Sequence, residues 1–182
     1  YQHFGITPVL LATGKSLACQ LPMSAVLGSA VILDSLKTSS YVFTSGGNPV
    51  VAAAALATLD VIEEEDLVHK SAADGVYAKK QFEKLADKYD CIGDIRMLGL
   101  NGGIELVKDR QSKEPDPDAA AKVIYRAFQK GIIMVKLNGN VLRFQPPLVI
   151  TRQQLDKAFE ILDDVFNDLE HDRIKLPTEL EH

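Results

Sequence analysis

The chain has no tryptophan, only two cysteines in 182 residues, and no excess of positive charge, its formal net charge being −5. Cys19 and Cys91 form no CxxC spacing, so neither a disulfide framework nor a zinc site is indicated, and a reducing, cytoplasmic location is predicted. No basic stripe is interleaved with aromatic residues, which excludes nucleic acid as an expected partner. Apolar runs are all shorter than about 18 residues, so no membrane span is predicted.

What is present is close to average for a soluble globular protein, with 46% hydrophobic and 25% charged residues. The length suits one domain with an appendage or two small domains. The chain starts at Tyr1 without a methionine, and its last residues, Leu180 to His182, resemble the remnant of a histidine tag. We therefore expect a piece of a longer protein.

Apolar segments in the first part of the chain predict a short buried strand over 9–12, a second strand over 24–28 and one or two helical turns over 30–36. Asn48-Pro49 is typical of a helix start, because asparagine caps the helix and proline lacks an N–H that would be unpaired there. The helix from Pro49 is expected to end in the acidic stretch at 63–66. A second helix is predicted over 67–89, with an apolar stripe at Gly75, Ala78, Phe82, Leu85 and Tyr89.

From Cys91 onward the pattern reads β, α, hairpin, α. Two strand segments are predicted around Gly102-Gly103, followed by a helix over 116–131. An Asn138-Gly139 turn predicts a hairpin. Thr151 and Gln154 form a capping box for a last helix, which buries Leu155, Phe159, Leu162 and Phe166. The pattern predicts a small α+β domain with an antiparallel sheet and helices on one face.

Lys15 stands out because it follows an apolar strand, where an ammonium is costly to desolvate. One interpretation is a loop lysine that reaches solvent along its own apolar stem. The other is an amine held near apolar walls, where its lone pair is free for Schiff-base formation. Spacing alone leaves both open.

Two further residues have a structural and a functional interpretation. Thr44 lies beside Gly46-Gly47, which is typical of a turn but also of a hydroxyl and backbone N–H groups that hold a phosphate. Arg143 lies in the strand segment VLRFQPP. Its planar guanidinium suits a carboxylate ligand, although a structural ion pair or an edge-strand position explains it equally well. Glu105, between Ile104 and Leu106, is expected to point outward from its strand.

Four segments together resemble a known family: ATGKSLACQLPMSAVLG, FTSGGNPVVAAAALATLDVIEEE, IRMLGLNGGIELVKD and GNVLRFQPPLVIT. They are similar to the C-terminal portion of class III aminotransferases, which are pyridoxal-phosphate (PLP) enzymes of fold type I. The resemblance extends from about Phe4 to about Leu169. It implies an α/β fold, with the tail of the large PLP-binding domain in residues 1–48 and bridging helices in 49–90. Residues 91–176 would form the small α+β C-terminal domain, and 177–182 a tail.

The resemblance also assigns roles to the three candidate residues. Lys15 matches the lysine that forms a Schiff base with PLP and then moves the proton at the substrate α-carbon. Thr44 matches the threonine that reaches across a homodimer interface to the PLP phosphate. Arg143 matches the arginine that pairs with a substrate carboxylate.

The chain departs from the family pattern at several places. Cys19 and Gln20 stand where small glycines are usual, Met97 where glycine is common, and Ser45 where an aromatic residue is frequent. The family's phosphate loop, its ring-stacking aromatic and its pyridinium-binding aspartate have no match here. We therefore expect this piece alone not to catalyse transamination.

Three functions remain open at this point. The first is transfer of an amino group from an amino acid or ω-amine to a 2-oxo acid, by the full-length parent. The second is racemisation or epimerisation of an amino acid by the same family, in which Lys15 reprotonates the α-carbon. The third is a non-catalytic small-domain remnant whose exposed apolar surface drives self-association.

Overall fold

The computed structural model describes residues 1–36 and 43–177. Those residues form two compact units, one from Tyr1 to Asp66 and one from Leu67 onward. The predicted tag remnant at Leu180–His182 lies outside the described residues. The domain boundaries expected from the family resemblance stay a prediction.

The first unit contains a two-stranded antiparallel hairpin and helices. Strand β1 (Leu10–Thr13) pairs with β2 (Ala25–Gly28), with Leu10 opposite Gly28. A 3-10 helix, Lys15–Ala18, lies between the strands and packs against the later helix α2. Helix α1 spans Ala30–Leu33 and α2 spans Pro49–Glu64. Both strands and both helices were predicted from sequence.

The expectation that the first strand is buried is wrong for this chain. Leu10 is 48% exposed, and the buried hydrophobic residues described in this unit are Ala18 and Ala55. The reason is that a hairpin of two strands covers little of either strand's surface. The apolar character of β1 therefore produces a strand without producing a core around it.

The start of α2 follows the predicted cap. The Asn48 side-chain oxygen accepts hydrogen bonds from the backbone N–H of Val50 at 2.9 Å and of Val51 at 3.4 Å. Pro49 occupies the first helical position. The helix ends at Glu64, and Asp66, with φ of 49°, separates it from the next helix. The predicted break in the acidic stretch is confirmed.

The second unit is an antiparallel sheet covered by three helices on one face. Its elements are α3 (Leu67–Lys88), β3 (Ile92–Leu98), β4 (Asn101–Leu106), α4 (Pro117–Gln129), β5 (Val135–Leu137), β6 (Val141–Phe144) and α5 (Arg152–Glu170). The strand order is β3-β4-β6-β5. Helices α3 and α4 pack on the sheet, and α5 contacts both helices. The sheet is antiparallel with helices on one face, as expected for 91–176, and the unit also includes α3, which begins at Leu67.

The core of this unit lies between the sheet and the helices. Phe82 of α3 meets Phe144 of β6 and Phe159 of α5 edge-on, with ring centroids 5.2 and 4.9 Å apart. Ile104 and Leu142, which are opposite each other in β4 and β6, are fully buried on the same face. The predicted apolar stripes of α3 and α5 are both buried.

The turn between β3 and β4 is not at Gly102-Gly103, where the sequence placed it. The chain reverses at Gly99-Leu100, with Gly99 at φ of 55°. Gly102 lies inside β4 opposite Met97, whose side chain occupies the space that a Cβ at Gly102 would need. Gly75 of α3 approaches the Gly99 backbone so closely that a Cβ there would overlap it.

Candidate functional site

Lys15 begins the 3-10 helix directly after β1, and its backbone has a φ of 53°. A left-handed conformation is uncommon for a residue other than glycine, and such positions concentrate at functional sites. The side chain is exposed, and within residues 1–36 and 43–177 its amine has no hydrogen-bond or ion-pair partner. Among the described residues, Lys15 thus presents a primary amine that takes part in no hydrogen bond or ion pair.

Cys19 and Gln20, which the resemblance places where small glycines are usual, are also in the left-handed region. Cys19 has a φ of 51° and Gln20 a φ of 77°. Glycine adopts this conformation at little cost, whereas a side chain at Cβ is strained by it. The backbone after Lys15 therefore keeps a glycine-like path with bulkier residues on it.

Thr44 lies in the turn that leads into α2. In this turn the Gly46 N–H donates to the Phe43 carbonyl at 2.9 Å, and Gly47 has a φ of 71°. Thr44 is exposed, and its hydroxyl has no partner among the residues that the structure describes. A groove of about 450 Å³ runs along the same turn, between the start of β2 and the start of α2.

Arg143 lies in the second unit, on the sheet face opposite the helices. It pairs in register with Gly103 of β4 and Val135 of β5, and it is exposed. Its guanidinium donates a hydrogen bond to the Gln145 side-chain oxygen. No carboxylate in the described part of the chain pairs with it. The other arginines each have a carboxylate oxygen within 4.0 Å: Arg96, Arg110, Arg126, Arg152 and Arg173.

The same sheet face carries a compact ion-pair group two strands away from Arg143. The Arg96 guanidinium of β3 lies 2.5 Å from an Asp94 oxygen and 2.7 Å from a Glu105 oxygen. The hydrogen bond to Glu105 is the main cause of a raised pKa at Arg96. Sequence reasoning placed Glu105 outward correctly but missed this group, although Asp94 and Arg96 have the i, i+2 spacing of one strand face.

An apolar cleft of about 360 Å³ has Arg143 in its wall. Its lining comes from β5, β6, the segment after β6, and α5, and includes Met134, Phe144, Pro147, Ile150 and Leu162. Because Phe144 and Leu162 face the helices, this cleft lies on the helix side of the sheet, whereas the exposed Arg143 side chain lies on the other face.

The segment that follows Arg143 is fastened to α3. The Lys70 ammonium donates to the carbonyls of Leu148 and Ile150 at 3.0 and 2.5 Å and to Asp74 at 2.7 Å. Asp74, which is buried, also accepts from Arg152 at 2.8 Å. The Arg152 guanidinium lies over the Tyr77 ring, 3.7 Å from its centroid. Sequence reasoning missed this clamp, whose only local signal is the i, i+4 pair of Lys70 and Asp74.

Two kinds of site are absent from the part of the chain that the structure describes. No group of three or more histidine, cysteine or acidic side chains there is arranged to hold a metal ion. None of the described helices is both long enough and apolar enough to cross a membrane.

Comparison with known proteins gives a consistent family. The model of the class III aminotransferase family matches residues 1–166. An isoleucine 2-epimerase of Lentilactobacillus buchneri is 55% identical over 176 residues, which are 97% of this chain and 39% of that protein. A leucine/methionine racemase of Thermococcus litoralis is 44% identical over 95% of this chain and 39% of its own length.

The fold has a counterpart among solved structures. An acetylornithine aminotransferase from Elizabethkingia anophelis superposes with a TM-score of 0.83 at 32% identity, over 92% of this chain and 43% of that one. The α/β fold class predicted from sequence is thereby confirmed. The chain spans about two fifths of the length of the curated relatives that it matches.

Proposed function

Because the chain belongs to the class III aminotransferase family, we propose that it is the C-terminal portion of a PLP-dependent enzyme. The full-length protein would transfer an amino group from an amino acid or ω-amine to a 2-oxo acid. The observation that carries this proposal is Lys15, a primary amine without a partner in the described residues, on a left-handed backbone position at a strand end.

The residues present fit PLP at two points. Lys15 would hold the cofactor covalently through its amine, and the Thr44 hydroxyl would donate a hydrogen bond to the phosphate. When bound, PLP supplies an electron sink for the breaking of a bond at the substrate α-carbon. The Lys15 amine and the Thr44 hydroxyl, which have no partner in residues 1–36 and 43–177, support this assignment.

Lys15 and Arg143 would divide the work on the substrate. The Lys15 amine takes a proton from the α-carbon and returns it. Arg143 binds the substrate carboxylate through two parallel N–H groups. This geometry fixes the orientation of the substrate, and the guanidinium neutralises the negative charge of the carboxylate.

The proposal includes the cellular location and the oligomeric state of the full-length protein. We place the full-length protein in the cytoplasm as a homodimer, with Thr44 serving the cofactor of the partner protomer. The 182-residue piece alone would not transaminate, since it has no match for the family's phosphate loop, ring-stacking aromatic or pyridinium-binding aspartate.

A second candidate function is epimerisation or racemisation of an amino acid. The observation that favours it is the identity of the relatives: the epimerase and the racemase share 55% and 44% of their aligned residues with this chain, against 40% for a probable 4-aminobutyrate aminotransferase of Bacillus subtilis. Both reactions begin with removal of the α-proton by Lys15. They differ in whether the proton returns to the opposite face of the same carbon or the amino group leaves.

The experiment uses the full-length protein with PLP and two assays. The first assay measures amino-group transfer as the formation of a new amino acid from glutamate and a 2-oxo acid. The second measures epimerisation as the formation of D-allo-isoleucine from L-isoleucine, which chiral chromatography detects. Transfer without epimerisation supports the first candidate, and the reverse supports the second. Lys15→Ala should abolish whichever activity is found, while the exposed Lys79→Ala should retain it.

A covalent assay tests the lysine independently of turnover. Borohydride reduction of the full-length protein with PLP should add the mass of the reduced cofactor to the peptide that contains Lys15. The Lys15→Ala variant should not acquire this mass at any peptide. Equal trapping in both proteins would overturn the assignment of Lys15.

A further inference from the structure

Arg143 and Glu105 lie on the same sheet face at neighbouring diagonal positions. In the register of β4 and β6, Gly103 is opposite Arg143 and Glu105 is opposite Val141. Diagonal neighbours of this kind are about 7–8 Å apart at the backbone, which is within reach of long side chains of opposite charge. Position 103 is a glycine, so no side chain stands between the two on β4. Glu105 could therefore pair with Arg143.

In the structure Glu105 pairs instead with Arg96 on the other side of β4. The Arg96 guanidinium bridges Glu105 and Asp94 at 2.7 and 2.5 Å. Asp94 is opposite Glu105 in the register of β3 and β4, so without Arg96 two carboxylates would face each other. Their repulsion would push Glu105 toward Arg143.

We infer that Arg96 is a positioning residue for substrate binding: by holding Glu105, it keeps the neighbouring carboxylate away from the Arg143 guanidinium. This inference rests on the proposed function, in which Arg143 binds the substrate carboxylate. In this role Arg96 acts through Glu105 and not on the substrate itself. Its effect is to leave Arg143 the one arginine of the described residues without a carboxylate partner.

An ion pair this exposed contributes little to folding, since the Arg96 and Glu105 side chains are 53% and 26% exposed. A purely structural role would therefore be nearly silent in kinetics. The positioning role predicts an effect on substrate affinity that depends on Glu105 being present, which separates the two.

The test is a set of variants of the full-length protein with PLP, assayed on whichever amino acid it converts. Arg96→Ala should raise the KM for that amino acid about fivefold, with kcat changed less than about twofold, because Glu105 now competes for Arg143. Glu105→Gln should leave KM unchanged. The double variant Arg96→Ala/Glu105→Gln should return KM to within about twofold of the parent value.

Lys108→Ala provides the matched control, since it removes a cation about as exposed as Arg96 from an ion pair with Glu114 elsewhere in the same unit. The inference is overturned if Arg96→Ala leaves KM unchanged or if the second substitution does not restore it. Arg143→Ala separates this outcome from failure of the proposed function. If Arg143→Ala does not raise KM, the carboxylate site itself is wrong. If Arg143→Ala raises KM and Arg96→Ala does not, only the positioning role of Arg96 is wrong.

Discussion

The two units of this chain differ in what they bury. The second unit packs large side chains such as Phe82, Phe166 and Ile104 completely out of solvent. In the first unit the buried hydrophobic residues described are two alanines, while Phe4 and Val31 are 76% and 85% exposed. Full burial of a large apolar side chain stabilises a fold by about 1.5–3 kcal/mol. The second unit has this contribution many times over, and the first has almost none of it.

This difference in burial means that the residues proposed for substrate binding and for cofactor binding lie in units of different stability. Arg143 lies on a sheet with a core of its own, whereas Lys15 and Thr44 lie in the unit without one. Exposed apolar side chains such as Phe4 and Val31 are typical of an interface. Under the proposed function, the carboxylate-binding residue lies on a sheet with a core, and the cofactor-binding residues lie in the unit without one.

The largest expected effect is the loss of a core aromatic residue. Phe82→Ala should lower the free energy of unfolding by about 3–5 kcal/mol, because it removes a buried ring that contacts Phe144 and Phe159. Phe4→Ala in the first unit should change it by less than about 0.5 kcal/mol. Urea unfolding followed by circular dichroism measures both. Similar losses for the two variants would erase the contrast between the units.

The reactivity of the two cysteines, one in each unit, tests the same difference in burial. Burial raises the pKa of the Cys91 thiol to about 11, while Cys19 is exposed. At pH 8 only about one Cys91 thiol in a thousand is the reactive thiolate. Cys19 should therefore react with a thiol reagent at least about a hundredfold faster than Cys91. Mass spectrometry of the labelled peptides measures each rate, and Cys19→Ser should remove the fast phase.

Tyr89 makes the stability of the second unit fall at alkaline pH. Burial, followed by the hydrogen bond to Asp163, raises the pKa of the Tyr89 phenol to about 12. The folded protein therefore favours the neutral phenol, and this contribution to stability is complete below about pH 10 and lost as the pH rises to 12. Unfolding free energies at pH 9 and 11.5 should fall less in Tyr89→Phe than in the parent chain. The exposed Tyr1→Phe should fall as the parent does.

The smallest expected effects come from two matched helix caps. Thr151→Ala and Asn48→Ala each remove a side-chain acceptor from the first turn of a helix, which costs about 1 kcal/mol. In the second unit the loss should appear in global unfolding. In the first unit it should appear as faster amide exchange in the first turn of α2. A global loss from Asn48→Ala would show that α2 unfolds together with the core.

Features encoded by a few adjacent residues were predicted from sequence, because each contains its own physical cause. Asn48-Pro49 starts a helix, Thr151 and Gln154 make both bonds of a capping box, and Asn138-Gly139 turns a hairpin. The apolar stripes of α3 and α5 were predicted for the same reason. Periodicity is a local property of the chain.

The features that failed depend on distant residues. Three glycines could have formed the turn between β3 and β4, and the choice of Gly99 follows from its contact with α3 and from Met97 lying over Gly102. The exposure of β1 follows from the size of its sheet, which has two strands in the described residues. Arg143 was identifiable as a guanidinium on a strand, but the group formed by Arg96, Asp94 and Glu105 depends on the register between two strands.

The Lys70 clamp has a mechanical consequence for Arg143. An ammonium has three N–H groups, and Lys70 directs them to Asp74 and to two carbonyls of the segment that follows β6. That segment therefore travels with α3, a helix of 22 residues and about 33 Å. A force that a ligand exerts on the Arg143 guanidinium is therefore transmitted through this segment to α3 as well as to the sheet.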